Sequence, residues 1–284
     1  MAKKLRIVVS LTTNDNDYQI EQAQSAEQAA NRLGVTVEII YADNDAINQS
    51  TQILKVVQAA PEQRPDAVVF EPVGGTALPQ VARAAATAGI GWAVLNRDAS
   101  YLDELRRLTN APMFGVTSDH VEIGRLQGRQ LAALLPKGGS VIYVQGPSEN
   151  SAAKERTAGM QETKPANIQA TLLKAQWTEE SALRAVRSWL KLTTSQKSQI
   201  DAVAAQDDSM AMGARKAFQE LPNEMDRDRW LKLPFIGCDG LPNTGQAIEM
   251  IVDAIQTKKQ PPARVLVAPR SIPALTAIQP RRVG

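Results

Sequence analysis

Asn96, Arg97 and Asp98 stand side by side in "VLNRDAS" (94–100), immediately after the apolar run "GWAVL". An amide, a guanidinium and a carboxylate together can donate and accept hydrogen bonds to a polar ligand. Arg beside Asp also suits a solvated loop, so the rest of the chain has to decide. Other residues with chemical potential are mostly set aside. Ser151-Ala152-Ala153-Lys154 fits the S-x-x-K pattern of penicillin-recognising enzymes, but neither S-D-N nor K-T-G follows, and a helix start with surface Ser and Lys accounts for it. Asp207 and Asp208 are adjacent, and neighbours at a helix start do not converge on one atom. Asp208 or Ser209 is expected to cap that helix, leaving the other acid to face a cleft.

No phosphate-cradling G-x-x-x-x-G-K-[ST] stretch is present, and "SLTTND" occupies the first turn where a dinucleotide site would need G-x-G-x-x-G. One histidine, His120, and one cysteine, Cys238, argue against a zinc site or a Cys/His nucleophile pair. Cys238 lies in "LPFIGCDG" and is expected as a small core residue. No residue set argues for turnover, so no catalytic residue, metal or cofactor is expected.

These groups need elements to position them. The 284 residues are 43% hydrophobic and 22% charged, which is a globular composition long enough for two domains. Aliphatics dominate and aromatics are 4%, the profile of buried parallel strands. A formal charge of +2 with scattered basic residues leaves no footprint for nucleic acid or an anionic membrane. The start, "MAKKLRIVVS", runs directly into a strand-like stretch, with no apolar segment of signal-peptide length.

Strand patterns at 5–11, 35–42, 66–70, 91–95, 113–118, 140–146, 167–175, 200–206, 234–238 and 263–269 alternate with helical periodicity. Repeated strand–helix–strand units with short connections predict parallel sheets covered by helices on both faces. In such sheets ligands sit beyond the carboxyl ends of the strands. Those ends deliver the polar stretch 14–19, Glu71, Asn96 to Asp98, "GPSENSAAKER" (146–156), "AQW" (175–177), "QDDS" (206–209) and "CDG" (238–240). That gathering favours a binding site over a solvated loop.

The stretches "VVSLTTNDNDYQIEQAQSAEQAANRLG", "DAVVFEPVGGTAL", "AAATAGIGWAVLNRD", "SDHVEIGRLQG", "NSAAKERTAGM", "DAVAAQDDSMAMGARKA" and "FIGCDG" occur in an order that resembles the type I periplasmic solute-binding proteins of sugar ABC transporters. The resemblance implies two Rossmann-like lobes with a hinge: 1–112 plus 243–262, and 113–242 plus 263–284. It implies a non-catalytic, periplasmic, monomeric receptor that closes over a sugar or polyol and delivers it to an ABC permease, with no nucleic-acid partner. Carried over position by position, the ligand-binding residues are Asn16, Tyr18, Gln19, Asn96, Arg97, Arg156, Trp177, Asp207 and Asp239. Tyr18 alone keeps one of the two usual first-loop aromatics, Asn96 stands for an acid, and Asp207 stands for an amide. Asp207 and Asp239 would balance the two arginines. After Gly240 a helix-plus-strand unit of the family is missing. The same resemblance allows an alternative, the effector-binding core of a lactose-repressor-type regulator, although only four residues precede the first strand.

Overall fold

The computed structural model describes residues 4–73, 77–196, 198–238 and 243–281. The chain divides into two units, residues 1–118 with 240–267, and residues 119–239 with 268–284. Unit 1 is built on β1 (Arg6–Leu11), β2 (Thr36–Tyr41), β3 (Ala67–Phe70), β4 (Gly91–Leu95), β5 (Met113–Ser118) and β10 (Arg264–Val267), parallel in the order β10-β5-β4-β3-β1-β2. Successive side chains of a strand face opposite ways, so each strand feeds two cores. Ile7, Val9 and Leu11 of β1 pack in one core with Ala26 and Ala30 of α1 (Asp17–Leu33) and Ile248, Ile251 and Val252 of α11 (Asn243–Thr257). Val8, Val68, Phe70 and Trp92 pack in the other, with Ile53 and Val57 of α2 (Ala46–Val57) and Val81 and Ala85 of α3 (Pro79–Thr87). A short α4 (Leu102–Leu105) adds Leu102 and Leu105 to this second core.

Unit 2 carries β6 (Gly139–Gln145), β7 (Ile168–Lys174), β8 (Ala202–Ala205) and β9 (Phe235–Ile236), parallel in the order β7-β6-β8-β9. One face meets α5 (His120–Leu134) and α6 (Ser151–Thr163) through Leu131, Val141, Tyr143 and Met160. The other meets α7 (Glu179–Leu190) and α9 (Asp208–Gln219), with Trp189, Phe218 and Trp230 forming an aromatic cluster. The short α8 (Thr193–Gln196) and α10 (Glu224–Leu231), which supplies Trp230, complete the helices of this unit among the described residues.

The parallel sheets flanked by helices, expected from the sequence, are what the chain builds. The expected division is corrected at two strands. β5 pairs with β4 and β10 pairs with β5, so residues 113–118 and 264–267 belong to the first sheet and not to the second lobe. β9 ends at Ile236 and α11 begins at Asn243, so six residues of sequence separate them. Cys238, expected in the core, is only partly buried.

Candidate functional site

In unit 1 the polar residues converge where β1, β3 and β4 end. Asn16 caps α1 by accepting from the Gln19 backbone N–H at 2.9 Å, so its carbonyl oxygen is spent on the helix. Gln19 is 3% exposed and held at both ends: Oε1 accepts from the Thr12 N–H at 3.2 Å, and Nε2 donates to Glu71 Oε2 at 2.9 Å. Gln19 thus has both ends of its amide engaged, while Asn16, half-buried, gives its Oδ1 to the helix start. Gln19 holds Glu71, a buried carboxylate that also accepts from Asn96 Nδ2 at 3.3 Å. Gln49 fastens the same corner, donating to the Glu71 carbonyl at 2.8 Å and accepting from the Val73 N–H at 2.9 Å.

Asn96 is the product of this framework. Its backbone is left-handed at φ 59°, a conformation Asn tolerates better than most residues. Its Nδ2 also donates to the Tyr18 hydroxyl at 3.0 Å, and its Oδ1 is buried without a hydrogen bond. Arg97 folds back so that Nη1 donates to the Asn96 carbonyl at 2.6 Å, while its Nε is buried and unpartnered. Asp98 turns away to an exposed ion pair with Arg264 at 2.8 Å. The three residues of the opening motif thus divide: Asn96 and Arg97 face inward and Asp98 faces solvent.

In unit 2, Arg156 on α6 is the centre. Its Nη1 donates to the Gln206 carbonyl, and its Nε donates to His120 Nδ1 at 3.3 Å. Its guanidinium lies 5.5 Å from the centroid of the Trp177 ring, a cation–π distance. Arg156 is therefore anchored on a carbonyl and an imidazole, and not on the ion pair with Asp207 that the sequence suggested; Asp239 lies outside the described residues. Trp177 holds φ 62°, costly for a bulky residue and a feature that clusters at functional sites. Gly146 makes room for the ring, because a Cβ there would sit 2.3 Å from the indole. The indole Nε1 is buried and unpartnered.

Asp207, not Asp208 or Ser209, caps α9, accepting from the Met210 N–H at 2.6 Å through Oδ1. Burial pushes its carboxyl up to about 6, outweighing the Met210 N–H and the Arg156 charge, which favour the ionised form. Asp208 is raised too, by burial against a hydrogen bond from the Cys238 backbone. A raised carboxyl means that the folded chain holds a proton the unfolded chain has released between about pH 4 and 6. This group's contribution to stability is then greatest below pH 4 and falls by about 3 kcal/mol as pH rises through 6. Urea unfolding of Asp207→Asn is expected to lack that component, so its stability relative to wild type should improve from pH 4 to 7. A difference independent of pH would overturn this account.

Sequence reasoning missed His120, Gln127, Tyr143 and Gln206. Gln206 is fully buried at the end of β8, donating to the Ala153 carbonyl and Thr157 Oγ1 at 2.9 Å each and accepting from the Gly146 N–H at 2.9 Å. Tyr143 donates to Gln127 Oε1 at 2.8 Å. A run of small apolar residues ending in an amide, "AVAAQDD", was the available signal for Gln206.

Each unit therefore defines a parallel α/β body with polar and aromatic groups at its strand ends. The chain belongs to the periplasmic binding protein domain family, whose profile it matches over residues 7–262. It is similar to the putative rhizopine-binding protein of Rhizobium meliloti, 29% identical over 78% of this chain and 69% of that protein. It is also similar to the ribose import binding protein RbsB of Bacillus subtilis, 26% identical over 84% of this chain and 70% of that protein. Among solved structures, an ABC transporter periplasmic solute binding protein from Actinobacillus succinogenes with bound D-allose superposes with a TM-score of 0.78. That likeness carries 21% identity, covering 93% of this chain and 96% of that one.

Proposed function

We propose that this protein is an extracytoplasmic receptor whose two units close over a sugar or polyol and hand it to an ABC permease. One observation carries the reading. Both units keep buried polar atoms without partners at their strand ends: Asn96 Oδ1 and Arg97 Nε in unit 1, Trp177 Nε1 in unit 2. Buried polar atoms are normally paired, and leaving one unpaired costs about 1–3 kcal/mol. A ligand rich in hydroxyls supplies both the donors and the acceptors they lack. Tyr18 and Trp177 suit the C–H faces of such a ligand, and Arg156 and Asp207 suit its hydroxyls.

The relatives support this chemistry. They include proteins named for ribose import and for xylitol binding, and a Caulobacter protein of the same fold was solved with myo-inositol. These are names of binding proteins, one of them for import, which disfavours the repressor-core alternative and an enzyme. A periplasmic location agrees with the family. Closure is a shift between open and closed states that ligand stabilises by touching both units.

Thermal unfolding against D-ribose, D-allose, D-xylose, L-arabinose, xylitol and myo-inositol tests the reading. A ligand at a hundredfold over its Kd is expected to add about 2.7 kcal/mol and raise the midpoint by several degrees. No shift with any of the six, from a folded chain, would count against a sugar or polyol.

A further inference from the structure

We infer that His120 is a positioning residue for binding, its imidazole setting the angle at which the Arg156 guanidinium meets the ligand; the inference rests on the receptor reading of Arg156. A guanidinium donates and never accepts. The 3.3 Å contact from Arg156 Nε therefore requires a lone pair on His120 Nδ1, which only the neutral imidazole offers. The other in-plane anchor of Arg156 is the backbone carbonyl of Gln206, and the Trp177 ring lies against its face. Two anchors in the plane and one against it define the guanidinium's position. Among the described residues, Nη2 makes no hydrogen bond, which leaves it for a ligand oxygen.

The anchor is built into the helix packing. α5 and α6 touch backbone to backbone: a Cβ on Gly124 would lie 2.0 Å from the Arg156 carbonyl oxygen, and one on Gly159 2.0 Å from that of Val121. Such close approach brings the first turn of α5 against α6. His120, the first residue of α5, is 4% exposed there. The Asp119 carboxylate caps α5 through Oδ1, accepting from the Glu122 N–H at 2.9 Å. Since the Gln206 anchor is main chain, His120 is the in-plane anchor that substitution can remove.

Calorimetric titration of the tightest-binding member of the six-compound panel into H120A, H120N, R156A and H120A/R156A tests this. H120A is expected to weaken binding roughly tenfold. H120N, whose Oδ1 can stand where Nδ1 stood, is expected to return within about threefold of wild type. In the R156A background, H120A should cost nothing further, because the residue it positions is gone. An equal loss in both backgrounds, or no rescue by H120N, overturns the inference. A ligand-free reading separates this from the receptor proposal. The Arg156 Nε–H resonance, assigned by its disappearance in R156A, should move in H120A and return toward its wild-type position in H120N. If no panel compound binds wild type, the receptor reading fails, and an unmoved resonance alone then rejects the positioning role.

Discussion

Replacing Arg156 by alanine is expected to weaken binding of the cognate sugar or polyol by about a hundredfold, or roughly 3 kcal/mol. Hydrogen bonds from a charged group contribute about 1.5–3 kcal/mol each, and the guanidinium is placed to offer more than one. The loss extends beyond the ligand. Trp177, held at φ 62°, would lose the cation over its ring, and the Gln206 carbonyl would lose its donor. Arg156→Lys should recover only part of the affinity, since an ammonium keeps the charge but not the planar fork that spans Gln206 and His120. The Asp207 carboxyl provides an independent check. The Arg156 charge favours its ionised form, so the alanine variant should titrate higher than wild type. Calorimetric affinity unchanged in Arg156→Ala would remove this residue from the site.

Gly124→Ala is expected to destabilise unit 2 by about 3 kcal/mol, at the upper end of what inserting a methyl into a packed interface costs. The new Cβ would lie 2.0 Å from the Arg156 carbonyl oxygen and 2.9 Å from the Met160 nitrogen. Both are backbone atoms within a helix, so no side chain can rotate away, and α6 must shift as a body. Trp177, Trp189 and Trp230 all lie in unit 2, so unfolding followed by tryptophan fluorescence reads this unit preferentially. The midpoint should fall, and affinity should fall with it, because the displaced turn is the one that carries Arg156. A midpoint within error of wild type would mean that α5 and α6 have room to slide.

Among the described residues, apolar runs and capping residues were enough to locate the ten strands and most helices. Parallel strands buried on both faces must read as runs of Val, Ile, Leu and Ala, and "RIVVSL" or "AVVF" has few other uses. α10 escaped because Trp230 is its single buried residue, so it has no apolar stripe to recognise. The lobe boundary escaped for a different reason. Nothing in "MFGVTS" says which neighbour it hydrogen-bonds, and pairing to β4 is a choice made by the assembled sheet.

At the site, the sequence by itself determined the cast: strand ends rich in Asn, Arg, Asp and aromatics, with no nucleophile or metal set. Only the tertiary structure decided which of those groups are free. Asn16 and Asp207 each give an oxygen to a helix start, Gln19 is consumed by Thr12 and Glu71, and Asp98 turns outward to Arg264. His120 and Gln206 become the anchors of Arg156 across 36 and 50 residues of chain. The reason is physical. Residue type sets what a side chain can bond, but a buried polar atom takes whichever partner the packing of distant segments brings within 3 Å or so, and that packing is a property of the whole unit.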